Sequence, residues 1–279
     1  MKRSLSLLIY ILLCAVPPLL ADGVSVDSTD TYFRLMGEAD KAIADGEWSR
    51  AEEKLLEALR SQPGNPSNVL LMSNLGMVRY HAGRTDEAIT TLTDAHYMAP
   101  AAVTVLQNRG RVYAETGRTE EACADYAAVM RLDSTLVEPA FYHAILSLEL
   151  NRPDSTAADV ERLRRVAPDS RLTDLAEATL HISLGDYAGA IPAYVRLINK
   201  EKQAGYYAAR ALCYLMTQQL GEAAADIASG LELDPADGDL YLYRAMLNKM
   251  RFRLEDAKAD AERAVSLGVK KSVADSVIY

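Results

Sequence analysis

A spacing of about 34 residues runs through this chain and leaves few folds open to it. The residues Ala51, Ala88, Ala122, Thr156, Ala190, Ala223 and Ala257 follow one another at intervals of 37, 34, 34, 34, 33 and 34. Twelve residues before each stands another small residue: Ala39, Gly76, Gly110, Ala144, Ala178, Ala211 and Ala245. Four residues after each comes Leu55, Leu92, Tyr126, Val160, Tyr194, Ile227 or Ala261, and twelve after it several units carry a proline, at Pro63, Pro100, Pro168 and Pro235. Self-similarity at a fixed period of this length is the mark of a stacked-repeat architecture.

The spacing has a physical reading. Each unit holds two amphipathic helices of about a dozen residues, with apolar residues at i, i+3, i+4 and i+7. In the third unit Leu106, Gly110 and Tyr113 mark the inner face of the first helix, and Ala122, Tyr126 and Val129 that of the second. The small residues fall where the helices cross, because only Gly or Ala lets the two axes approach closely. Between the helices run Gly83-Arg84-Thr85-Asp86-Glu87 and Gly117-Arg118-Thr119-Glu120-Glu121, each a glycine helix stop followed by a helix start. The acidic pairs Glu52-Glu53 and Glu120-Glu121 are placed by the same reading in the first turns of second helices, where carboxylates complement the helix dipole.

These motifs, with Asn74-Leu75-Gly76 and the Gly-Arg-Thr-(Asp/Glu)-Glu-Ala turns, resemble the tetratricopeptide repeat (TPR) family. The resemblance implies an all-α, right-handed superhelical α-solenoid of about seven helix–turn–helix units spanning residues 32–268; the polar composition of 22–31 predicts a flexible N-terminal segment before it, and 269–279 a capping segment after it. Several departures are visible. Thr156 replaces the usual alanine, which predicts looser packing in the fourth unit. Lys200-Glu201-Lys202-Gln203 lacks a proline, which predicts a continuous helical passage or a seam. Phe252 stands where a turn glycine belongs, and Pro63–Asn68 carries three extra residues.

Residues 1–21 stand apart from the repeats. Lys2 and Arg3 precede an apolar run that contains Pro17 and Pro18 and reaches Ala21, the pattern of a secretory signal peptide; an uncleaved anchor is the alternative reading. Lipidation at Cys14 is disfavoured by the bulky Leu13 before it. Export to the periplasm or cell envelope is the expectation. Cys123 and Cys213 lie three repeats apart, too far to bridge, and read as two buried thiols.

A formal charge of −9 makes the chain a poor candidate for binding nucleic acid or anionic membrane surfaces, both of which reward basic patches. Membrane proximity is expected only through location in the envelope. No catalytic signature is present, no cofactor or metal is implied, and His81, His96, His143 and His181 show no ligand spacing. His143 reads as a satisfied core histidine. The expected role is therefore that of a non-catalytic scaffold or adaptor binding a protein or peptide.

In the TPR family the concave groove is lined by the first helix of each unit. The resemblance implies a partner-binding surface of Leu70, Met77, Tyr80, Gln107 and Arg111 in the second and third units. It adds Phe141, Leu175, Leu212, Met216, Leu242 and Met246 further along. This set predicts a groove for an apolar or amphipathic peptide segment. Two other readings stay open: burial of some of these side chains by close packing of the units, and self-association through the groove or the stack ends. Asn74 and Asn108 lack the cationic neighbours of a carboxylate clamp and are expected to bond backbone groups between units.

Overall fold

The computed structural model describes residues 31–278, so the signal-peptide reading of 1–21 lies outside the described residues. Fifteen helices and no strand occur among the described residues. They pair as seven hairpins: α1 (Thr31–Ala44) with α2 (Trp48–Ser61), α3 (Asn68–His81) with α4 (Thr85–Met98), and α5 (Val103–Glu115) with α6 (Thr119–Leu132). Next come α7 (Val137–Glu149) with α8 (Pro153–Val166) and α9 (Arg171–Ser183) with α10 (Tyr187–Lys200). The last are α11 (Ala204–Met216) with α12 (Leu220–Leu233) and α13 (Gly238–Met250) with α14 (Leu254–Ser266), followed by α15 (Lys271–Ile278).

The chain divides into two compact units at Asn68, where the spacing stretches to 37. In the first, Tyr32, Leu35, Ala39, Ala51, Leu55 and Ala58 are buried together. Asn68 accepts a hydrogen bond from the Tyr32 hydroxyl at 3.2 Å and donates to the carbonyls of Gln62 and Pro63. The longer linker is thus held by its own last side chain.

In the second unit the helix crossings follow the small residues. Every second-helix anchor from Ala88 to Ala257 is 0% exposed, as are Ala144, Ala178, Ala211 and Ala245 opposite them. Thr156 fits the same slot. Its hydroxyl donates to the Ala144 carbonyl at 2.9 Å, so the expected loosening of the fourth unit does not occur. A threonine hydroxyl bonded across the crossing replaces a methyl contact with a satisfied polar one.

The passage after Lys200 is not a continuous helix. The α10 helix ends there, Glu201 is extended, and α11 begins at Ala204. Lys200 explains the break without a proline: its ammonium reaches back to the Asp169 carbonyl at 2.8 Å and the Asp174 carboxylate at 2.5 Å. Nor is there a seam here, because the compact unit runs unbroken from Val69. The acidic first turn expected of Glu120-Glu121 is present in α6, whereas α2 begins at Trp48 and carries Glu52-Glu53 one turn further in.

The turn glycines Gly46, Gly83, Gly117 and Gly185 adopt φ between +72° and +80°. At the equivalent positions Asn151, Gln218 and Phe252 sit at +56°, +61° and +60°. The left-handed conformation costs an L-residue roughly 1–2 kcal/mol relative to glycine, partly offset by the larger unfolded entropy of glycine. Gln218→Gly is therefore expected to raise stability by about 0.5–1 kcal/mol, read as a higher urea midpoint with unchanged slope.

Candidate partner-binding surface

The first helices of successive units are joined on one face in steps of 35 residues. Asn108 donates to the Ser73 hydroxyl at 2.9 Å, the Tyr80 hydroxyl bonds the Glu115 carboxylate, and Arg171 donates to the Tyr206 hydroxyl at 3.4 Å. Asn108 thus ties adjacent units together through a side chain, where a backbone partner was expected. Tyr142 on α7 stacks on Tyr126 of α6 with ring centres 5.4 Å apart. Burial raises the Tyr142 pKa, opposed in part by the charges of Arg111 and Arg171.

Along this face the structure sorts the expected groove residues into two groups. Leu70 and Met216 are exposed, at 41% and 48%. Met77, Tyr80, Gln107, Arg111, Leu212 and Met246 are half-buried. Phe141, Leu175 and Leu242 are only 4%, 2% and 7% exposed and present no open surface. Packing of neighbouring helices explains this burial. Leu242 lies in a cluster with Ala245, Ala261, Ala264 and Ala274, the last of these on α15, so the final helix covers the end of the stack. The remaining surface is mixed, with Met and Leu interleaved among Tyr, Gln and Arg.

Beneath it runs a set of charges that apolar periodicity did not disclose. Arg109, Arg210 and Arg244 each meet an aspartate 16 residues on, Asp125, Asp226 and Asp260, through two hydrogen bonds of 2.6–3.0 Å. His143 takes the same place toward Asp159, with Nδ1 at 2.5 Å from the carboxylate, and is the satisfied histidine expected from its position. Every cation stands one residue before the small residue of the first helix, and every aspartate three after the anchor of the second. The four aspartates are no more than 7% exposed.

The fifth unit reverses the signs. Asp174 and Glu177 on α9 face Arg196 and Lys200 on α10, and Arg164 of α8 joins Glu177 at 2.9 Å. The rule is complementarity across the crossing, whichever helix carries the acid. A search for opposite charges at constant separation would have found it: Arg109, His143, Arg210 and Arg244 keep the same offset from their aspartates.

Chemically reactive groups are subdued. Cys123 and Cys213 are free and buried, and burial pushes the Cys213 thiol up to about 12, far from the thiolate form. Among the described residues no cluster of His, Cys, Asp or Glu has the makings of a metal site, and no helix is long and apolar enough to cross a membrane. Partial desolvation of the ring holds His81 below its ordinary pKa of 6.5 although the residue as a whole is exposed, and desolvation followed by the Arg109 charge does the same for half-buried His96. Because the unfolded chain then takes up protons first, these two groups contribute stability that is present above pH 6.5 and lost as pH falls below it. Urea midpoints are expected to decline between about pH 6.5 and 5.5, before carboxylates titrate. The His81→Gln/His96→Gln double variant should flatten that decline; an equally steep slope would contradict the assignment.

Comparison with known proteins agrees with this architecture. A family model for a tetratricopeptide repeat-like domain matches residues 32–155, and one for the tetratricopeptide repeat matches residues 175–239. Among solved structures, a tetratricopeptide repeat protein from Parabacteroides merdae is 27% identical, with a TM-score of 0.71, over 89% of this chain and 97% of that one. PilW, a type IV pilus biogenesis factor, aligns at 15% identity and a TM-score of 0.65 over 77% of this chain and 100% of its own. A chain of the APC/C heterotetramer Cut9–Hcn1 aligns at 13% identity and 0.64, over 88% of this chain and 54% of its own. With its seven helix pairs, its close crossings at small residues and both matching models, the chain belongs to the tetratricopeptide repeat family.

Proposed function

We propose that the protein is a non-catalytic scaffold of the bacterial cell envelope that holds an apolar or amphipathic segment of a protein partner against its first-helix face. The observation that carries this reading is the first-helix face, where side-chain bonds tie α3 to α5 and α9 to α11 while Leu70, Met77, Leu212 and Met216 keep apolar surface open. A pre-positioned surface loses little freedom on binding, which favours affinity. Flexible methionines suit an apolar segment of variable shape. Half-buried Arg111 supplies a charge for orienting that segment. Support for the envelope comes from the signal-like residues 1–21 and from the absence of any need for a reduced or reactive thiol. The covering of Leu242 by α15 weighs against self-association through that end.

Photo-crosslinking in cells tests the reading. A crosslinker at Leu70 or Met216 is expected to capture one partner that is not captured from Leu132 or Val166, which are 48% and 41% exposed at the ends of second helices. Equal capture from both sets would overturn it.

A further inference from the structure

The turn between α13 and α14 carries a feature that folding does not explain. Phe252 adopts φ +60° at a position where four other turns use glycine, and its side chain is 92% exposed. The local strain opposes the native state and the exposed ring returns no burial to offset it; such strain persists where the residue has work to do. Phe252 has company. Lys249, Met250, Arg251, Phe252, Arg253 and Leu254 alternate cation and apolar side chain, with Met250 36% and Leu254 54% exposed. Lys249 and Arg253 make no ion pair among the described residues.

The tip is also held in place. Arg251 donates to the Leu220 carbonyl at 2.7 Å, which fastens this turn to the preceding one, where Met216 is 48% exposed. The acids nearby include Glu255, which is paired with Lys258 at 3.0 Å, Asp256 in the first turn of α14, and Glu222 in the first turn of α12 beside Leu220. Cations therefore predominate at the tip although the chain as a whole is acidic. At physiological salt charges more than about 8 Å away are largely screened, so the local excess governs a contact made by the tip.

A turn that projects apolar side chains between cations offers no concavity to a protein partner. It matches a surface that is fluid, negatively charged at its outer layer and apolar just beneath. We infer that this turn is a membrane-contact element. Phe252, flanked by Met250 and Leu254, enters the headgroup layer of an anionic bilayer while Lys249, Arg251 and Arg253 meet lipid phosphates. This inference rests on the turn alone and is independent of the first-helix face.

The test reads the tip locally, because residues 1–21 are themselves apolar. Full-length Phe252→Trp is titrated with phosphatidylglycerol or phosphatidylcholine vesicles, and its emission is taken as the difference from wild type, which cancels Trp48. A blue shift with quenching by shallow doxyl lipids is expected on phosphatidylglycerol and not on phosphatidylcholine. Lys249→Ala and Arg253→Ala, introduced into Phe252→Trp, should each weaken the response about fivefold, since a cation near such a surface is worth about 1 kcal/mol. Phe252→Gly should fold at least as stably as wild type, showing that the phenylalanine is not there for the fold. Emission unchanged by phosphatidylglycerol, an equal response on both lipids, or a Phe252→Gly variant that melts well below wild type would each overturn the inference.

Discussion

Arg210→Leu is expected to destabilise the second compact unit by about 3 kcal/mol, among the largest effects of any single change. Breaking a buried pair from one side costs roughly 3–5 kcal/mol because the other charge stays behind uncompensated. Asp226 is 5% exposed and accepts both of its charged hydrogen bonds from Arg210, at 2.8 and 2.7 Å. The low end of the range applies, since a shift of the helix ends would let some water reach the carboxylate. Adding Asp226→Leu should recover most of the loss, because two apolar groups of similar size leave nothing unsatisfied. Stability in a repeat array is a sum over units and their interfaces. Hydrogen exchange is therefore the proper measurement, with protection lost first in α11 and α12. A single variant with wild-type exchange there would show that the clamp is dispensable.

The second large effect concerns the crossings. A Cβ added at Gly76 would stand 2.5 Å from Leu92 Cγ, whereas one at Gly110 would meet Asp125 and Tyr126 at 3.3–3.4 Å. Leu92 is fully buried and has nowhere to move. Gly76→Ala is thus expected to cost about 1–3 kcal/mol by overpacking, and Gly110→Ala distinctly less, with alanine's better helix propensity offsetting a mild contact. Gly110→Leu and Ala211→Phe extend the wedge beyond what side-chain adjustment can absorb. Both should exceed the cost of any substitution at Leu70 or Met216. Denaturant midpoints decide the order, and the reverse ranking of the two glycine-to-alanine variants would contradict the crossing geometry.

These effects divide what was legible in the residues from what was not. The helices, their pairing and the crossing points follow from short-range physics: amphipathic periodicity, small residues where axes approach, glycine and proline at the ends. A linear string carries such terms directly. The longer loop ending at Asn68 was visible as three extra residues, but not that the chain divides there: the seam suggested by the residues lay at Lys200–Gln203.

The clamp was legible in principle and hidden in practice. Charged residues are ordinarily assigned to solvent, and only the constant offset of Arg109, His143, Arg210 and Arg244 from their aspartates marks them as inward-facing. Thr156 and Lys200 show the same limit. Each looks like a departure from the repeat, and each is accommodated by side-chain bonds: Thr156 to the Ala144 carbonyl, Lys200 to the Asp169 carbonyl and Asp174.

The binding surface was least legible. Leu175 and Leu212 were both assigned to the groove, yet Leu175, three residues before its small residue like the buried Phe141 and Leu242, is 2% exposed, whereas Leu212, one residue after its own, is half-buried. Exposure depends on how closely the next helix approaches, which is set by the summed packing of side chains distant in the chain. The sequence by itself determined the repeat, its helices and its family. Only the tertiary structure decided which apolar residues remain open, which charges are buried in pairs, and that Phe252 stands strained and bare at a turn, because those outcomes depend on neighbours that no local pattern names.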